Sequence, residues 1–469
     1  MKLLRFAAVL FILLPGIVSA AEFKAGAAAV NITPPLGTLI NGNFRPVVAE
    51  NVHDELHARA LALTDGTTTL AFVVVDNCVI PREVFDAAKA LVTEEVGLPP
   101  ANVMMSSTHS HSCGSVQEAY LTPASEAYRD RLPRFIADAV RRAMRNFAPA
   151  RVAWGSGKLP QHVFCRRWRL KEGAKAANPF GGNDLVKMNP GVANPDLVEP
   201  AGPTDPEIAF LAVQRADGKP LALLANYSLH YVGGVGSGDL SADYFGAFAD
   251  RIQQLPGADR QDPPFVGILS NGTSGDINNI NWRGPDNRPK EPYAKIRQVA
   301  DDAATEVQRV WGTLQWRSDI ALRVSSRELT LATRKPSADD VEKAKAIVAD
   351  RAPLALKTPA EIYAREQILL SQYPDTITMP LAAFRIGDFA VAGWPNEVFA
   401  ESGLAMKRDS PIKPLFVISL ANGWFGYLPM GNQHPLGGYE TWRSRTSYLE
   451  VGAEPKIRKA LLEVLAGLK

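Results

Sequence analysis

Residues 69–107 constrain the fold more than any other stretch of comparable length. Residues 69–76 read TLAFVVVD, a β-branched run too short for a typical helix, and the Asp65-Gly66 turn joins it to a second apolar stretch at 61–63. Residues 82–95 then place apolar side chains at helical spacing, and Val103-Met104-Met105 is apolar again before small polar residues take over. Strand, helix and strand with short connections predict an α/β core. The same reading gives a second amphipathic helix over 125–146 and strands at 221–228, 266–269, 384–391 and 415–420. It also gives a long helical segment over 337–371 and a closing helix over 455–468. Residues 164–203, rich in Gly, Pro, Asn and Lys, read as a long surface excursion, and excursions of that size are usually functional. The sequence shows no internal repeat and no low-complexity linker, so one large α/β domain over 21–469 is expected.

Composition removes several function classes. Of 469 residues 46% are hydrophobic and 21% charged, which supports a large core. Lys plus Arg number 51 and Asp plus Glu 49, so no global field draws the chain to nucleic acid. Lys2 and Arg5 precede an apolar run that ends in the small residues Val18-Ser19-Ala20-Ala21. This pattern predicts a secretory signal over 1–20, cleaved to leave a periplasmic or secreted protein without a transmembrane segment. Pro15 and Gly16 interrupt the run, which is short of the roughly 20 residues of a spanning helix. Cys78, Cys113 and Cys165 are the only cysteines, allowing one disulfide at most.

The strongest chemical signal is Ser106-Ser107-Thr108-His109-Ser110-His111-Ser112, where residues two apart at a strand end project to one side and aim both imidazoles into one cleft. Neutral imidazole binds zinc without first losing a proton. His230 follows the apolar 221–228 segment, and Glu397 follows Val391-Ala392-Gly393-Trp394-Pro395-Asn396. Both stand where a strand gives way to a loop. His53, His57, His162 and His434 lie in more polar contexts and rank below these as ligands.

These pieces occur in one order: Asn31-Ile32-Thr33-Pro34-Pro35-Leu36-Gly37, Thr108 to Ser112, Asn226 to His230, and Ser241-Ala242-Asp243-Tyr244-Phe245-Gly246. NGTSGDINN at 271–279, Gly393 to Glu397, Gly426-Tyr427 and Tyr439-Glu440 complete it. The ordered set resembles the neutral, non-lysosomal ceramidases, in particular bacterial secreted forms that carry the catalytic domain without the C-terminal immunoglobulin-like domain. The resemblance implies a single mixed α/β zinc-hydrolase domain in which His109, His230, Glu397 and Tyr427 bind Zn2+. It implies that His111 stands beside the zinc-bound water, that Tyr439 is an oxyanion donor, and that Arg166, with Arg167 as the alternative, faces the substrate. Two departures accompany it: Cys113-Gly114-Ser115 replaces the family's Gly-Pro-Gly, and Asn278 stands where ceramidases place a serine near the scissile amide. Asn donates a hydrogen bond but cannot fill every role of a hydroxyl. The implied activity is attack of a zinc-bound water on the N-acyl bond of a small-molecule or lipid-like substrate. Two alternatives use the same scaffold: a zinc hydrolase acting on an ester, acylated sugar or glycan, and a non-catalytic binding protein.

Overall fold

The computed structural model describes residues 22–258, 260–285 and 288–469, so the expected signal over 1–20 lies outside the described residues. Residues 57–75 show why the apolar runs are continuous. In β2 (His57–Thr64) and β3 (Thr69–Val75), Leu61, Leu63, Phe72 and Val74 face one apolar layer, while Ala60, Ala62, Val73 and Val75 face another. Alternation of period two with both faces buried leaves no polar position, so the strands read as unbroken hydrophobic runs.

The backbone repeats one arrangement three times, although no repeat is visible in the sequence. In the first copy β1 (Lys24–Asn31), β2 and β3 are antiparallel. α1 (Arg82–Val96) then crosses to β4 (Val103–Ser107), parallel to β3, and α2 (Glu126–Arg145) follows. The second copy runs β5 (Ala148–Lys158), β6 (Glu207–Arg215), β7 (Pro220–Tyr227), α3 (Asp243–Gln254), β8 (Val266–Asn271) and α4 (Ala294–Trp311), with the same pairings. The third runs β9 (Leu322–Ala332), β10 (Thr376–Ile386), β11 (Phe389–Trp394), α7 (Ala400–Asp409), β12 (Leu415–Ser419) and α8 (Ala453–Ala466). Between its β9 and β10 lie α5 (Ala338–Val348) and α6 (Pro359–Ser371).

The first two copies join through β1 and β5 into one eight-stranded sheet, ordered β8-β7-β6-β5-β1-β2-β3-β4, and the third forms a four-stranded sheet of its own. The sheets pack face to face. Phe72, Val152 and Leu211 of the large sheet meet Phe384, Val391 and Phe416 of the small one, with Phe72 and Phe384 rings 5.2 Å apart. Helices α1 to α4 cover the outer face of the large sheet, and α8 with Met406 of α7 covers that of the small one. The result is four layers: helix, sheet, sheet, helix. No described helix is long and apolar enough to cross a membrane.

Three expectations change. Residues 384–391 are two strands rather than one, because Gly387, at φ +60°, turns the chain between β10 and β11. The 337–371 segment is two helices. Ser337 with Asp340 and Thr358 with Glu361 form capping boxes that start each one, while Pro353 and Pro359 mark the break. The 164–203 excursion is on the surface only in part. It opens on buried Arg166 and Arg167, then folds Arg167–Leu170, Val186–Met188 and Leu197–Pro200 into a small sheet.

Candidate metal centre

The parallel strand pairs β3–β4, β7–β8 and β11–β12 all end at one side of the molecule, and each copy delivers side chains there. β7 ends at Tyr227 and β11 at Trp394, so His230 and Glu397 stand at the same position, three residues beyond the third strand of their copies. Cys78 has that place in the first copy. Ligand sites outside the carboxyl ends of parallel strands are the rule for open α/β sheets.

His109 arrives differently from the sequence expectation. β4 ends at Ser107, so neither His109 nor His111 is on a strand, and the period-two argument does not position them. Instead His109 adopts φ +74°, a left-handed conformation costly for a side chain bearing a Cβ, which persists where surrounding contacts over-determine it. The His109 and His111 rings meet edge to face at 82°.

Four side chains converge. His109 Nε2 lies 3.1 Å from His230 Nε2, 3.2 Å from Glu397 Oε2 and 3.2 Å from His111 Nε2. His109 Nδ1 is 2.8 Å from the Cys78 carbonyl and His230 Nδ1 is 3.0 Å from the Ser274 carbonyl. A carbonyl only accepts, so each Nδ1 carries a proton, which turns the Nε2 atoms toward each other and offers their lone pairs to a cation whenever the rings are neutral. Glu397 Oε2 is buried with no hydrogen-bond partner among the described residues, while its Oε1 accepts from Trp424 Nε1 at 3.0 Å. Lone pairs and an orphaned carboxylate oxygen crowded around one point are the donor set of a cation. Their spacing of 3.1 to 3.2 Å is close to the roughly 3.3 Å edge of a tetrahedron with Zn–N bonds of about 2.0 Å. The residues therefore fit zinc, with backbone carbonyls fixing each imidazole from behind. His111 stands outside the mutually close set of His109, His230 and Glu397 and belongs, with Cys78 and His109, to a second set.

Tyr427 completes the cluster by pairing rather than proximity in sequence. Glu397–Val398 runs parallel to Tyr427–Leu428, with Glu397 opposite Tyr427. On its other flank Tyr427 N donates to the Thr446 carbonyl at 2.8 Å, an approach that Gly426 permits, since a Cβ there would lie 2.6 Å from that carbonyl oxygen. Arg166 Nη2 donates to Tyr427 Oη at 3.2 Å, Nη1 is 3.2 Å from His230 Nε2, and Nε donates to Glu440 Oε1 at 2.7 Å. Its guanidinium is thus directed at the ligand cluster. Arg167 points away, to Glu440 Oε2, Gln433 and the Gly437 carbonyl.

Electrostatics follow from burial and this crowding. Burial works against charge on His109, but the Glu397 carboxylate and Cys78 hold its imidazole above the usual range, at about 10. Burial, then neighbouring cationic groups, push His111 and His230 well below the usual histidine range. Glu397 stays below the carboxylate range because His109, Tyr427 and Trp424 outweigh its burial. These are the metal-free values, and a bound cation would replace the His109–Glu397 attraction with its own.

The cavity beside the cluster is small, about 40 Å³, and is lined by His109, His111, Glu397, Trp424, Tyr427 and Tyr439, among others. Asn278 is not part of this wall; it pairs with Phe164 in a two-residue ladder and donates to Asn189. Tyr231, Gly42 and Tyr120 belong to the surroundings of the site and had no sequence signal. Tyr231 stacks on His111 at 3.7 Å, Gly42 lies against the same ring, and Tyr120 bonds Tyr439. Glu440, which joins the two arginines, was visible only as a neighbour of Tyr439.

The fold is similar to that of solved neutral ceramidase structures. The neutral ceramidase of Pseudomonas aeruginosa matches with a TM-score of 0.70 and 15% identity, over 96% of this chain and 75% of that one. A ceramidase complexed with C2 matches at 0.69 and 16%, with the same coverage. At these identities the likeness is one of fold. No protein-family model matches the chain, and no curated protein matches it in sequence.

Proposed function

We propose that this chain is an exported, zinc-dependent hydrolase that cleaves an N-acyl bond in a lipid-like acylated substrate, with His109, His230, Glu397 and Tyr427 holding the metal. The observation that carries the reading is the convergence of two carbonyl-backed imidazole lone pairs on the orphaned Oε2 of Glu397. Zinc bound in such a site would bring the pKa of its water down to roughly 7 and would polarise a carbonyl. The remaining work belongs to the chain. His111, bonded to the Gly42 backbone and stacked on Tyr231, is held to carry a proton between nucleophile and leaving amine. Tyr439 offers a phenolic proton to the oxyanion. Arg166, fixed by Glu440, keeps the Tyr427 oxygen in place. The fold and the Lys2, Arg5 and Val18-to-Ala21 pattern support an exported amidase.

The test is zinc content with turnover on N-acyl, O-acyl and glycosidic chromogenic substrates, using mature protein sequenced from its N-terminus. About one zinc per chain, its loss in His109→Ala and His230→Ala, hydrolysis of the N-acyl members and a start near Ala21 are expected. Full zinc retention in both variants would sink the ligand assignment. Cleavage of glycosides alone would sink the amidase, and an intact Met1 the export.

A further inference from the structure

Tyr120 lies in the loop after the two histidines, at φ +52°, a left-handed conformation that a tyrosine rarely adopts. The surroundings enforce it. Arg365 of α6 donates to the Tyr120 carbonyl at 2.7 Å and to Glu118 at 3.0 Å, Arg445 joins Glu118 to Glu366, and Phe44 packs on the ring at 4.4 Å. Three hydroxyl groups meet the Tyr120 oxygen: Tyr439 and Thr446 at 2.9 Å and Tyr363 at 3.2 Å.

A phenol has one proton, and geometry decides where this one goes. The Tyr120 hydroxyl donates to Tyr439. Tyr363 is fully buried and its hydroxyl bonds only Tyr120 among the described residues, so Tyr363 donates and Tyr120 accepts. The chain has one direction: Tyr363 to Tyr120 to Tyr439. Tyr439 makes no other hydrogen bond from its hydroxyl among the described residues and lines the cavity with His109, His111 and Glu397.

We infer that Tyr120 is a positioning residue that saturates the acceptor side of the Tyr439 oxygen and so commits the Tyr439 proton to the cavity, where it meets an anionic oxygen of the substrate. This rests on the proposed donor role of Tyr439. A donor already aimed at the developing charge needs no reorientation during reaction, whereas a freely rotating phenol does. Helix α6, inserted in the third copy, holds the Tyr120 loop from behind through Arg365.

The test measures acetate binding to the zinc-loaded protein by calorimetry for wild type, Tyr120→Phe, Tyr439→Phe and the double variant, with zinc content and melting temperature on the same samples. Acetate presents an anionic oxygen without requiring turnover. Tyr439→Phe should weaken binding about tenfold or more, as expected for a lost hydrogen bond to a charged group. Tyr120→Phe should weaken it about three- to tenfold, and the double variant should match Tyr439→Phe, since acting through one donor makes the effects non-additive. Multiplying losses, or unchanged affinity in Tyr120→Phe, would overturn the inference. So would wild type that fails to bind acetate. If Tyr120→Phe does not fold, Tyr363→Phe decides: affinity within twofold of wild type supports the stated direction, and a loss as large as that of Tyr439→Phe reverses it. Intact acetate coupling in a protein that hydrolyses nothing in the substrate panel would refute the hydrolase and leave the hydrogen-bond chain standing.

Discussion

At the scale of single residues, backbone conformation does as much as side-chain chemistry. His109 reaches the cluster only because its φ is positive, and Gly42, at φ +103°, packs so closely on His111 that a Cβ would lie 2.5 Å from the ring. Tyr231, stacked on the same ring at 3.7 Å, restricts its movement. Gly42→Ala should therefore displace His111 while leaving His109, His230 and Glu397 in place. Zinc content is expected to stay near wild type while kcat falls about 100-fold, the cost typical of a misplaced or missing proton carrier. Zinc loss in this variant would show that the Gly42 loop supports the ligands themselves.

Among elements, the connections between first and second strands do in each copy what the strands cannot. They are 32–56, 159–206 and 333–375, and they bring Gly42, Arg166 and Tyr363 to the same end of the sheets. The polar character of the second follows from that task. Its Asp184 accepts from Gly438 N and Trp442 Nε1, both at 2.7 Å, and so ties the short helical turn Tyr439–Thr441 to the excursion. Asp184→Ala should release that turn and lower kcat about tenfold or more through Tyr439, with zinc content unchanged, because an error of an ångström in a catalytic group can cost up to about 10² in rate. Equal kcat in mutant and wild type, measured on the same N-acyl substrate, would assign Asp184 to stability alone.

For the whole molecule, the packing of helices on the large sheet leaves the Lys89 ammonium in an unfavourable place. Lys89 of α1 is buried, and burial lowers its ammonium from the usual 10.5 to about 8, with Asp86 and Glu328 opposing and Arg82 assisting. Between pH 8 and 10.5 the unfolded chain holds more protons at this position than the folded one, so stability gained from Lys89 rises with pH across that window. Below pH 8 the full penalty applies, on the order of 3 kcal/mol. Denaturant unfolding of Lys89→Met should show higher stability than wild type at pH 7 and a gap that narrows by pH 10; a pH-independent gap would contradict it. The sequence alone determined the α/β class, most strand and helix positions, and the residue types able to bind a metal, because apolar periodicity and imidazole chemistry are local properties. It did not determine the threefold repeat, whose copies share only the alternation common to all buried strands, or the pairing of Glu397 with Tyr427. Nor could it determine the direction of the Tyr120 proton. Those were decided by tertiary structure, since register, left-handed turns and hydroxyl orientation are set by contacts between residues tens to hundreds of positions apart.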